Sequence, residues 1–158
     1  MGADTGRRVF VDKQSPAAYK ALNALAVEVR SAAETTGLSR MLMELINVRV
    51  SQINHCVFCL NLHTRLALEA GDSVQRLALL PAWSESGLFN DKERAALSVA
   101  EAVTLVAGQH ISDAEYAEAA EHLTHDEISV VIWAAITINA FNRVSVLSGH
   151  PVKAEPRQ

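Results

Sequence analysis

The chain predicts an all-α fold, a single helical domain over residues 1–158 with about six to eight helices and a core at about 15–147 between flexible N- and C-terminal tails. Three observations predict it. Apolar residues recur every three or four positions, the period of one helix face. Helix-start signals of the Ser/Thr-x-x-Glu kind precede two of the runs. Strand signals are nearly absent. Aromatic residues make up only 5% of the chain, so close packing through Ala and Leu is expected. A chain of 158 residues can bury roughly 70% of its unfolded surface, which lets it fold without a disulfide or a metal.

Ser15-Pro16 is a helix start, with proline at the first helical position. Tyr19, Leu22, Leu25, Ala26 and Val29 continue that helix towards Thr36, and Gly37 stops it. Ser39 caps a second helix whose apolar residues are Met41, Leu42, Leu45, Ile46, Val48 and Val50, with Glu44 in its middle. Asn54-His55 interrupts, and a third helix begins near Cys56 and runs to a break at Gly71. Asp72-Ser73 opens a short helix that ends before Pro81. Trp83 to Asn90 reads as a loop with Leu88 and Phe89 anchored in the core. Asn90 or Asp91 then caps a segment reaching Gly108. Ser112 with Glu115, and Thr124 with Glu127, each fit a capping box. The last helix covers roughly His125 to Leu147, and the tail after Gly149 is expected to fray.

Composition excludes several function classes. The formal net charge is −4 with no dense Lys/Arg run, so there is no electrostatic footprint for nucleic acid. Met1 to Arg8 lacks the apolar core of a secretory signal, and Gly6 stands where acylation of Gly2 needs Ser or Thr. Uninterrupted apolar stretches such as Val130 to Ala135 fall far short of the ~20 residues that span a bilayer. These features predict a cytoplasmic protein with no membrane partner. Both cysteines fall in one CxxC, which in a reducing compartment points to catalysis or metal binding rather than a structural disulfide.

The chemistry concentrates between Glu44 and His63. With Cys56 at a helix start, Cys59 follows three residues on and His63 four further, so two sulfurs and an imidazole share one stripe. A helix N-terminus favours a thiolate, His63 can take a thiol proton and return it to a leaving group, and an i,i+3 cysteine pair can close a disulfide. A peroxide needs all three. The thiolate attacks oxygen, the departing oxygen is protonated, and the resulting sulfenic acid condenses with the second thiol. An external dithiol reopens the bridge by exchange. Glu44 lies twelve positions before Cys56. If the Asn54-His55 break makes a hairpin, its carboxylate can orient His63, directly or through water.

This stretch resembles the core motif of the alkylhydroperoxidase D family, within the carboxymuconolactone decarboxylase-like superfamily. That motif has Glu twelve residues before a CxxC and His four residues after the second Cys, which Glu44, Cys56, Cys59 and His63 match. The flanks Arg49 to Asn54 and Ile138 to Arg143 are similar too, and the likeness runs roughly from Ser15 to Leu147. It implies an all-helical homo-oligomer (dimer, trimer or hexamer) that reduces hydrogen peroxide or organic hydroperoxides without a bound cofactor, at the expense of an external dithiol or thiol protein. It also implies that Cys59 attacks the peroxide, Cys56 resolves, and His63 and Glu44 relay protons. The best-studied branch has His just before the second cysteine; here Phe58 makes the pocket more apolar.

Two rival readings stand beside the peroxidase. One is a thiol–disulfide oxidoreductase that never meets peroxide. The other is a non-enzymatic metal-binding or interaction protein, for which Cys56, Cys59 and His63 supply three of the four ligands a structural zinc needs. His55 reads as a loop residue, and His110, His122, His125 and His150 as capping or solvated groups. Asn139 and Asn142 are expected to bond neighbouring backbone, and Trp83 and Trp133 to anchor the core or an interface. The apolar run Val130 to Ala140 leaves little polar face for water, which also predicts an oligomer.

Overall fold

The computed structural model describes residues 8–156, so the leader and acylation readings at Met1 to Gly6 lie outside the described residues. Eight α-helices account for nearly all of the regular structure: α1 Val11–Gln14, α2 Pro16–Thr36, α3 Arg40–Ile53, α4 Val57–Glu69, α5 Val74–Leu79, α6 Asp91–Thr104, α7 Asp113–Ala120 and α8 His125–Ser148. A 3-10 helix, Leu80–Glu85, follows α5 directly. The expected all-α class and helix number are those observed, and no strand occurs among the described residues.

Local chemistry explains most boundaries. Gly37 ends α2 in a left-handed conformation (φ 81°), where its amide reaches back to the last carbonyls of the helix, the glycine stop that a Cβ would penalise. Ser39 starts α3 by accepting the Leu42 amide. Asn90 with Glu93, Ser112 with Glu115, and Thr124 with Glu127 form complete capping boxes at α6, α7 and α8. Ser15 precedes α2 without a side-chain cap, so proline at the first position is the start signal there.

Four expectations change. The helix expected to reach Gly108 ends at Thr104, and the chain leaves it through turns closed onto the Leu105 carbonyl. Leu88 is exposed, and only its neighbour Phe89 enters the core. Trp83 lies in the 3-10 helix rather than a loop. The chain before Pro16 is not featureless: α1 docks on the far end of α8, where the Val11 amide donates to Ser148 Oγ and Arg8 Nη1 to the Val146 carbonyl.

α8 is the central rod. It packs against α2, α3 and α6, and more lightly against α1, α4 and α7. Leu45, Ile46, Val48 and Val50 of α3, Leu97 of α6, and Ile128 and Val131 of α8 are fully buried together. α8 is long and apolar enough to cross a membrane by length and composition, yet half of that stretch is buried inside the fold. Its apolarity therefore serves mainly the monomer core. An outer stripe remains, with Trp133, Ile136 and Leu147 exposed, so Trp133 is no core anchor.

Candidate active site

The site is built at the junction of α3 and α4, where three residues reverse the chain. Asn54 closes α3, and His55 takes a left-handed conformation (φ 53°), which is uncommon outside glycine and costs about 1–2 kcal/mol. The junction is held from α8: Asn54 Nδ2 donates to Asn139 Oδ1 (2.8 Å) and Asn142 Oδ1 (2.9 Å), and Asn142 Nδ2 donates to Ser51 Oγ (3.0 Å). Asn142 is completely buried. Its bonds run to side chains of α3 and its junction, not to nearby backbone as expected. Asn139 does use backbone, donating to the Ala135 carbonyl, but also to Thr104. On the opposite flank Arg49 Nε donates to Glu101 (2.6 Å), which also accepts the Trp83 indole (2.7 Å).

This junction places Cys56 as the N-cap of α4. Its sulfur accepts the Cys59 amide at 3.3 Å, the role a Ser or Asp oxygen plays elsewhere. The two sulfurs lie 2.7 Å apart, and both cysteines are buried and unbridged. Since a disulfide needs ~2.05 Å, closing it requires less than about an ångström of movement.

The pair shares one proton unequally. The hydrogen bond from the Cys59 thiol holds Cys56 down at about 6 against the opposing effect of burial, helped by the Cys59 amide, Asn142 and the Phe58 amide. Cys59 is pushed well up, first by its neighbour Cys56 and then by burial, with Asn142 and Ser145 opposing. A pocket of about 140 Å³ reaches the pair from outside, lined in part by Cys56, Phe58, Ser145 and His150. Cys59 is not among the residues that line it.

Glu44 and His63 form the second half of the site. They lie at comparable distances on either side of the reversal, so the α3–α4 hairpin brings them face to face. His63 Nδ1 donates to Glu44 Oε2 at 2.7 Å, which answers the question of direct or water-mediated contact in favour of direct. In a neutral ring this bond leaves the lone pair on Nε2, the form a general base needs. Burial alone raises the Glu44 carboxyl, but the His63 hydrogen bond and charge, Asn47 and Arg40 outweigh it and hold the group below its ordinary 4.5. Among the described residues His63 is hydrogen-bonded to Glu44 and to neither sulfur, so any transfer from Cys59 one turn away runs through an intervening molecule. Nor do three His, Cys, Asp or Glu side chains converge on one point among the described residues.

A depressed carboxyl makes a signed prediction. Glu44 contributes stability that is fully present above pH 4.5 and lost as pH falls through its lower folded value. Glu44→Gln is expected to cost about 1–3 kcal/mol at neutral pH, the range for a hydrogen bond to a charged group, and to flatten the decline below pH 4.5. Urea unfolding across that range measures both.

Sequence reasoning missed three groups at the site. Asn142 and Ser145 act on the sulfurs, and His150 is packed in place: its ring stacks on Phe10 (5.4 Å, 18°) and lies against Phe58 (5.4 Å). The tail thus begins ordered where fraying was expected. The one available signal was the spacing of Asn142, Ser145 and Ser148 along an otherwise apolar helix.

Comparison with known proteins places the chain in a family. Residues 16–102 match the model of the carboxymuconolactone decarboxylase family. The uncharacterized protein YdfG of Bacillus subtilis is 34% identical over 115 residues, covering 73% of this chain and 78% of YdfG. The uncharacterized protein YnjA of Escherichia coli is 32% identical over 68 residues, 43% of this chain and 37% of YnjA. A crystal structure of ATU0492 from Agrobacterium tumefaciens, a protein of unknown function suggested to be the antioxidant defence protein AhpD, superimposes with a TM-score of 0.86 at 33% identity, covering 94% of this chain and 99% of that one. The chain belongs to the carboxymuconolactone decarboxylase family and, within it, to the alkylhydroperoxidase D-like proteins.

Proposed function

We propose that this protein is a cytoplasmic antioxidant peroxidase that reduces hydrogen peroxide or small organic hydroperoxides by cycling Cys56 and Cys59 between dithiol and disulfide. The observation that carries the reading is the 2.7 Å approach of the two sulfurs at the start of α4, with Cys56 both the more acidic thiol and the one lining the pocket. The Cys56 thiolate attacks the terminal oxygen of ROOH, the O–O bond breaks, and the sulfur becomes a sulfenic acid as RO⁻ leaves and takes up a proton. The Cys59 thiol then attacks the sulfenic sulfur, expelling water and closing the disulfide. His63, oriented by Glu44, takes the Cys59 proton through an intervening water and returns it to the departing hydroxyl, so that water leaves. An external dithiol or thiol protein restores both thiols by exchange.

This order assigns first attack to Cys56, the reverse of the one the resemblance implies; the acidity of Cys56 and its place in the pocket lining support it. Self-association through the outer stripe of Trp133, Ile136 and Leu147 belongs to the same proposal. A thiol–disulfide oxidoreductase without a peroxide substrate is the second reading, supported by Val57 and Phe58, which expose apolar surface beside the cysteines where a protein dithiol could dock.

The test is direct. Reduced protein is mixed with a stoichiometric hydroperoxide and its free thiols are counted. Both are expected to disappear within seconds to minutes and to return with a dithiol. Thiols that survive the peroxide but vanish on mixing with a protein disulfide would replace the peroxidase by the oxidoreductase.

A further inference from the structure

On the proposed peroxidase reading, the attack on ROOH has one unassigned need: an alkoxide is a poor leaving group unless it is protonated. Glu44 and His63 serve Cys59 from the α3 side. The pocket that opens on Cys56 has a different wall, made by the end of α8 and the residues that follow it, Ser145 to His150.

Three polar side chains are wired together there, two of them in the pocket lining and the third, Asp12 of α1, bonded behind them. His150 Nε2 lies 3.1 Å from Asp12 Oδ1, and His150 Nδ1 lies 3.2 Å from Ser145 Oγ. The Asp12 and His150 side chains are 14% and 15% exposed, so both are largely withdrawn from water. Phe10 and Phe58 hold the imidazole on two sides. Ser145 and His150 line the pocket together with Cys56. The other ionisable groups around the ring are Arg8, whose stem lies against Gly149, and His55 across the pocket. Among the described residues Asp12 is the only carboxylate bonded to the ring.

We propose that Asp12, His150 and Ser145 form a second proton relay that supplies the proton to the oxygen leaving Cys56. In the charged state Nε2–H donates to the Asp12 carboxylate and Nδ1–H donates to Ser145 Oγ, whose own hydrogen turns from the Cys59 sulfur to the pocket when a peroxide occupies it. As the sulfur–oxygen bond forms and the O–O bond breaks, Ser145 gives its proton to RO⁻ and recovers one from Nδ1. Cys56–S⁻, ROOH and imidazolium become Cys56–SOH, ROH and neutral imidazole. When the external dithiol reopens the later disulfide, the proton shed as Cys56 ionises recharges the ring. Ser145 is the group that meets substrate; His150 and Asp12 act through it. The relay also gives the pocket beside Phe58 an imidazole drawn from a different part of the chain.

Leaving-group dependence tests this apart from structural damage. A peroxycarboxylic acid expels a carboxylate, which needs no proton, whereas tert-butyl hydroperoxide expels a strongly basic alkoxide. Single-turnover thiol oxidation is measured with both for wild type, His150→Asn, Ser145→Ala and Asp12→Asn. The expected result is a loss of about 100-fold with the alkyl hydroperoxide and a change of less than about threefold with the peracid. Equal losses with both oxidants in all three variants would overturn the relay and leave these residues a structural clasp. Wild type inert to both oxidants would instead overturn the peroxidase reading on which the relay rests.

Discussion

Cys56→Ser is expected to abolish thiol loss on mixing with a hydroperoxide, whereas Cys59→Ser is expected to react once and stop as a sulfenic acid on Cys56. The outcome turns on which sulfur is charged. A thiol near 6 is about nine-tenths ionised at pH 7, against about one part in a hundred for a thiol at 9, so the thiolate fraction gains roughly 90-fold. Intrinsic nucleophilicity falls with pKa by a Brønsted slope of about 0.4–0.5, which over three units returns roughly 15- to 30-fold. The net gain in rate is only several-fold. The larger consequence is selection between two adjacent sulfurs, because Cys59 is driven the other way by the same interaction and is essentially un-ionised. Trapping with a sulfenic-acid reagent and mass analysis of each variant reads the outcome directly. A sulfenic acid on Cys59 in the Cys56→Ser variant, with Cys59→Ser inert, would return first attack to Cys59.

Asn142→Ala is expected to lower stability by about 1–3 kcal/mol and to move the Cys56 titration upward from about 6. The stability loss follows from burial: the Asn142 amide exchanges hydrogen bonds with Asn54 and Ser51, and its removal leaves the buried Ser51 hydroxyl without that donor and Asn54 with Asn139 alone. The titration shift follows because the same amide acts on the Cys56 sulfur in its charged form. Denaturant unfolding measures the first and ultraviolet thiolate absorbance against pH the second. If stability falls while the titration stays put, Asn142 is a strut for the α3–α4 junction with no part in the acidity of the thiol.

The two flanks that carried the resemblance have a physical explanation. Ser51 and Asn54 on one side meet Asn139 and Asn142 on the other, while Arg49 ties the same helix to Glu101 of α6. They hold the reversal that turns Cys56 into a cap. The residues between Asn54 and Cys59 have little freedom as a result, which is why the sulfurs lie close without a bond between them.

Legibility in the sequence followed the range of the interaction. Caps at Ser39, Ser73, Asn90, Ser112 and Thr124 were readable because each cap bonds an amide three residues away. The end of α6 was not, since nothing local at Thr104 stops a helix. Leu88 was placed inside because it is apolar, but adjacent residues on a bend face opposite ways and only Phe89 could be buried.

What the sequence by itself determined is the helical class, nearly every helix start, and the stripe holding Cys56, Cys59 and His63, because all of these depend on offsets of three or four residues along one helix. What only the tertiary structure decided is the direct bond between Glu44 and His63, the buried asparagine clamp, the sulfur that faces the pocket, and the Asp12–His150–Ser145 cluster. Those contacts join residues from 5 to 138 positions apart, and no periodicity encodes a meeting that arises only when α3, α4 and the α1 segment close around α8.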